Sequence, residues 1–93
     1  MSATFKDEET EQLFQLVHMF QRSALLRMGM IPDNEGNHIF NLAEAKAGID
    51  MLQVLQNKTK GNISDQEERM FRGVVSELQL QFLKAPKRNR EME

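Results

Sequence analysis

Three stretches of the chain carry apolar residues at the 3–4 spacing of an amphipathic helix, and polar, turn-forming residues separate them. The first predicted helix runs from Glu8 to Met28. Leu13, Phe14, Leu16, Val17, Phe20, Ala24 and Met28 make its apolar stripe, and Met19, Leu25 and Leu26 widen it. That stripe exceeds the ~100° of arc one core contact needs. The helix therefore asks to be covered from two sides, by two neighbours in the chain or by a second subunit. Residues 1–7 show no periodicity and are expected to fray. Asp7-Glu8-Glu9-Thr10-Glu11 places negative charge at the positive end of the helix, with Asp7 or Thr10 as its N-cap.

Met28-Gly29-Met30 ends the first helix, Gly29 being suited to the left-handed residue just past a helix end. The link from Gly29 to Asn41 is longer than most helix–helix connections. Within it, Pro32-Asp33-Asn34-Glu35-Gly36-Asn37 is dense in turn formers. Met30-Ile31 and Ile39-Phe40 flank it as apolar pins or as the arms of a stubby hairpin. Asn41-Leu42-Ala43-Glu44 reads as a capping box, with Phe40 and Ala45 placed as a hydrophobic staple. The second predicted helix runs from Leu42 to Thr59. Ala45, Ile49, Leu52 and Leu55 form its inner stripe, which Met51 and Val54 broaden. Ala43, Ala45, Ala47 and Gly48 keep its start slim, so that a neighbour can come close. Lys46 and Asp50, four apart, are placed to pair on the surface, for about 0.3 kcal/mol.

The sharpest local signal follows. Lys58 and Lys60 suit the carbonyl end of the second helix, Gly61 suits a left-handed C-terminal cap, and Ser64 with Glu67 spells a second capping box. The third predicted helix runs from Asp65 to Lys84 on Met70, Phe71, Val74, Val75, Leu78 and Phe82. Gly73 inside it costs about 1 kcal/mol against Ala, which points to close packing at that position. Ala85-Pro86 is expected to stop the helix and leave 85–93 as a basic, disordered tail. The fold class is all-α: one domain over 8–84, with an antiparallel hairpin of helices two and three and a long loop between helices one and two.

Composition narrows the function more than it defines it. A chain of 93 residues with 40% hydrophobic and 28% charged residues is one ordinary globular domain. Its seven Met are many for this length; thioethers fill irregular gaps and suit adaptable surfaces. With no Cys there is neither disulfide nor thiolate ligand, and no apolar run approaches the ~18–20 residues of a membrane span. A cytoplasmic protein without membrane contact is expected. The net charge of −2 disfavours non-specific attraction to nucleic acid. It divides unevenly, with −3 over residues 1–40 and +2 over 84–93.

Candidate chemistry is thin. His18 has Phe14 and Arg22 at four residues' distance, and His38 lies in the long loop, so neither has a local metal-ligand partner. The acidic residues cluster at helix starts, where capping accounts for them; Asp50 alone lies mid-helix, and a solvated or ion-paired role explains it. No Gly-rich phosphate loop or recognisable nucleophile–base spacing is present. Lys58, Lys60, Gly61 and Asn62 form one candidate anion site, where ammonium groups meet backbone amides near a helix start. A helix-turn-helix reader would lead with Asp65, Glu67 and Glu68, which repel phosphate. Lys84, Lys87, Arg88 and Arg90 are the better nucleic-acid candidates, though without an aromatic residue for stacking.

Leu13-Phe14-Gln15-Leu16-Val17 and Ala24 resemble the first helix of a small bacterial family known as domain of unknown function 1844. The likeness continues through Leu42, Ala45-Lys46, Ile49-Asp50-Met51-Leu52 and Leu55. It is most specific at Lys58-Thr59-Lys60-Gly61-Asn62 and extends to Glu67, Glu68, Glu77 and Leu78, covering roughly residues 10–83. What the resemblance implies is a small all-helical protein without an assigned activity. The residues themselves lead to a non-enzymatic interaction module without cofactor, binding itself or another protein. Its expected face is Phe14, Val17, Met19, Leu26, Met51 and Met70, and a homodimer is preferred over a monomer. The alternative is an accessory nucleic-acid binder acting through the C-terminal tail.

Overall fold

A computed structural model describes residues 7–92 of the chain, with side chains described as far as Pro86. Three helices follow one another: α1 (Glu8–Arg27), α2 (Leu42–Thr59) and α3 (Asp65–Met92). Of the expected frayed N-terminus, all but Asp7 lies outside the described residues. Asp7 is the N-cap, its Oδ1 accepting the Thr10 N–H at 2.8 Å. Thr10, the other cap candidate, is buried.

Helix α1 ends as Gly29 requires. The Gly29 N–H donates to the Leu26 carbonyl (3.2 Å) and the Met30 N–H to the Leu25 carbonyl (2.9 Å), with Gly29 at φ +72°. This paired pattern satisfies two carbonyls of the last turn and depends on a left-handed residue. Gly29 is also covered: a Cβ there would collide with the Phe40 ring. The loop then folds on the Asp33 carboxylate, which accepts the N–H groups of Glu35 and Asn37, each at 2.9 Å. The expected hairpin shrinks to a single antiparallel bridge, Met28 to Phe40, with the Asn41 N–H donating to the Arg27 carbonyl (2.8 Å). Pro32 supplies no donor to extend it.

The two capping boxes differ. Ser64 and Glu67 form theirs fully: the Glu67 N–H donates to Ser64 Oγ (3.1 Å) and the Ser64 N–H to Glu67 Oε1 (2.8 Å). Glu67 is completely buried, which sequence reasoning did not anticipate. Asn41 caps the Glu44 N–H at 3.1 Å, but the reciprocal half is missing. The Asn41 N–H is already taken by the Arg27 carbonyl, and the Glu44 carboxylate turns instead to Arg27 Nε at 2.6 Å.

Packing the three stripes together makes one core. Phe14, Val17, Ala24 and Met28 come from α1 and its cap, Ala45, Ile49 and Leu52 from α2, and Phe71, Val75, Leu78 and Ala85 from α3. Phe14 and Phe71 meet edge to face, with ring centroids 5.8 Å apart. The short connection at Gly61 (φ +87°), where the Gly61 N–H reaches the Glu68 carboxylate, is consistent with an antiparallel α2–α3 hairpin.

Two expectations for α3 are corrected. Gly73 is exposed, and a Cβ added to it would meet no atom within 4 Å, so close packing does not explain it. The helix also does not stop at Ala85-Pro86; it runs through Pro86 to Met92. Proline in a helix interior forfeits one backbone bond at a cost of about 3 kcal/mol. Opposing that, Ala85 is fully buried in the core, and Lys, Arg, Glu and Met beyond the proline favour helix. At 1.5 Å per residue the 28 residues of α3 extend about 42 Å, which accounts for the 44 Å long axis of the molecule.

Candidate interaction site

The stripe of α1 is wide, and its two halves meet different fates. Phe14, Val17, Ala24 and Met28 face the core. On the flank beside them, Leu16 is 40% exposed and Met19 68% exposed. Helix α2 repeats the division: Ala45, Ile49 and Leu52 point inward, while Met51 (53%) and Val54 (55%) remain open. Where the two flanks adjoin, Leu16 and Phe20 of α1 and Met51, Val54 and Leu55 of α2 line an open apolar trough, with Asp50 as its one charged lining residue. The Asp50 carboxylate pairs with Lys46 Nζ at 2.8 Å. Near the start of α2 the same two helices are tied by Arg27 and Glu44, Arg27 being held in turn by Ser23 Oγ.

This surface differs from the face expected from sequence. Phe14 and Val17 are buried, so they hold α1 to the core and present nothing outward. Met70 is partly buried against the core from α3, and Leu26 is partly buried on α1. Of the six residues, Met51 lines the trough and Met19 lies one turn from Leu16 on the same flank. Leu16, Phe20, Val54 and Leu55 were not singled out. The available signal was the spacing of Leu16, Phe20 and Ser23, a second 3–4 row along α1 beside the buried one.

The other candidates stay dispersed. Lys58 and Lys60 are exposed at the α2–α3 turn, but the turn's amides are engaged. The Gly61 N–H donates to Glu68 Oε1 (3.1 Å), the Asn62 N–H to the Thr59 carbonyl (2.9 Å), and the Ser64 N–H to Glu67. A carboxylate already stands where an anion would be received. Lys84 is exposed on α3, while the side chains of Lys87, Arg88 and Arg90 lie outside the described residues. His18 is exposed with Nδ1 3.1 Å from Gln21 Oε1, and His38 is exposed in the loop. Among the described residues, no three His, Cys, Asp or Glu side chains come together to hold a metal ion. Among them, too, no helix is long and apolar enough to cross a membrane.

Compared with known proteins, residues 10–84 match the model of a family described as Domain of unknown function (DUF1844). No curated protein and no solved structure matches the chain.

Proposed function

For a chain that belongs to the family of domain of unknown function 1844, we propose the role of a non-enzymatic helical interaction module. Its working part is the apolar trough between α1 and α2. The observation that carries this reading is the continuity of exposed apolar side chains across two helices. At 40–68% exposure, Leu16, Met19, Met51 and Val54 together leave about 400 Å² of accessible surface, within the ~300–600 Å² range where patches on small proteins are often functional. Thioethers at two of these positions suit a surface that adapts to what it receives. Against an enzyme stand the scattered imidazoles and the carboxylates already engaged in capping or ion pairing. A cysteine-free composition supports cytoplasmic work.

The test is a photo-crosslinking side chain at Met51 in the native host, with Gln53 on the opposite edge of α2 as control. Adducts to a protein, either the chain itself or another, are expected from position 51 above the level at 53. Equal labelling at the two positions would remove the trough as a working surface.

A further inference from the structure

We infer that the depression beside the α2–α3 turn binds a carboxylate that carries an N–H donor on its α-carbon, as a free amino acid or the C-terminal residue of a polypeptide does. The depression is shared by α2 and α3, whereas the trough is shared by α1 and α2, so the inference stands apart from the interaction-module reading.

The backbone amides of the turn are engaged, but the side chains around them are not. Gln56, Asn57 and Lys60 from the end of α2 and Arg72 from α3 line a depression of about 130 Å³. None of these four side chains has a hydrogen-bond or ion-pair partner among the described residues. Arg72 is the telling member. Glu68 precedes it by four residues on α3, the spacing at which such a pair forms on a helix. Glu68 Oε1 instead accepts the Gly61 N–H at 3.1 Å, and the guanidinium is left open. Ile63 and the buried Phe71 add an apolar wall, beside which a charge contact is stronger than in open water.

Size and charge select the ligand. Sites for whole small molecules run to ~300–1,000 Å³. This depression has the bulk of about four waters, so it admits one end group and not an extended molecule. Lys60 and Arg72 call for an anion, and the planar fork of arginine matches a carboxylate. Glu68 lines the same depression, and its second carboxylate oxygen has no partner among the described residues. That oxygen opposes a dianion such as phosphate and offers an acceptor to an N–H beside the bound carboxylate. The Gln56 and Asn57 amides, each both donor and acceptor, serve the remaining polar atoms.

The test is a heteronuclear NMR titration of the full chain with glycine, N-acetylglycine, propionate and inorganic phosphate. Glycine or N-acetylglycine should saturably shift the side-chain amide signals of Gln56 and Asn57 and the Arg72 Nε–H signal. Binding should be about tenfold tighter than that of propionate or phosphate, the worth of one hydrogen bond to a charged group. Tighter binding of glycine assigns a free amino acid, and tighter binding of N-acetylglycine a polypeptide C-terminus; either order supports the site. Arg72→Ala and Lys60→Ala should each weaken binding about tenfold, with circular dichroism verifying the fold, and Arg72→Lys should restore part of the loss. Lys58→Ala removes the same charge from the same turn but outside the depression, and should leave binding unchanged. Glu68→Gln keeps an acceptor for the Gly61 N–H and should narrow the preference over phosphate. No saturable shift with either amino-acid probe, propionate or phosphate bound as tightly, or a Lys58→Ala loss equal to that at Arg72 overturns the proposal.

Discussion

Replacing Gly29 with Ala separates two physical costs that the fold places at one residue. Gly29 has φ +72° and the Phe40 ring against it; Gly61 has φ +87° and open space where its Cβ would go. An L-residue in the left-handed region costs about 1–2 kcal/mol at either position. At Gly29 the added methyl must also displace the ring that closes the Met28–Phe40 bridge, and such overpacking typically costs a further 1–3 kcal/mol. The expected loss is therefore about 1–2 kcal/mol for Gly61→Ala and about 2–5 kcal/mol for Gly29→Ala. A domain of this length has about 5–14 kcal/mol in total. Urea unfolding followed by circular dichroism measures both, and the thermal midpoint of Gly29→Ala should fall by roughly 10–25 °C. Phe40→Ala supplies the second arm of a double-mutant cycle, since removal of the ring should return the cost of Gly29→Ala to that of Gly61→Ala. Equal losses at the two glycines, or a Gly29→Ala cost unchanged by removing the ring, would refute the packing half of the reasoning.

Other substitutions read different parts of the same framework. Gly73→Ala and Gly48→Ala, each with nothing within 4 Å of the new methyl, should raise stability by about 0.5–1 kcal/mol apiece; a loss at either would mean the position is covered. Ser64→Ala breaks a reciprocal box whose Glu67 is fully buried and should cost about 1–2 kcal/mol in chemical unfolding, because the Glu67 amide loses its acceptor. Glu44→Gln should cost under about 1 kcal/mol, since its exposed pair with Arg27 is the only part removed, and high salt should erase the difference from wild type. If the trough is covered by a second copy, the thermal midpoint should rise with protein concentration, whereas Met19→Glu should melt at one temperature throughout.

Local chemistry was legible where nothing distant competes for the same atoms. Ser64 and Glu67 are neighbours on one turn, and each has the other's amide within reach, so the box forms as spelled. Asn41 and Glu44 spell the same motif and form half of it, because Arg27, seventeen residues earlier, is brought close to Glu44 by the loop. Gly61 and Gly29 were legible because a left-handed residue past a helix end has few alternatives to glycine. Gly73 was not: its spacing suggested a close approach, and only the placement of the other two helices reveals that it faces away. Pro86 misled for a related reason, since the local cost of proline is visible in the sequence and the burial of Ala85 beside it is not. The width of the α1 stripe was legible as a demand for two covers. Which half meets the core is decided by where α2 and α3 land, so Phe14 and Val17 were assigned outward and Leu16 was passed over.

That division of α1 bears on why the trough is built as it is. A permanently exposed apolar surface on a small domain invites indiscriminate association, and its margins decide what is admitted. Here the charged margin is on α2, where Asp50 lines the trough and pairs with Lys46. A random apolar partner gains the burial but must strip water from these charges without return. A partner that answers this pair with charges of its own gains both. In the proposed interaction module, specificity would come from the polar edge and affinity from Leu16, Met19, Met51 and Val54, whose adaptable side chains would tolerate small differences in seating. Both sets lie on elements already held by the core: Leu16 and Met19 flank buried Val17, and Met51 and Val54 flank buried Leu52.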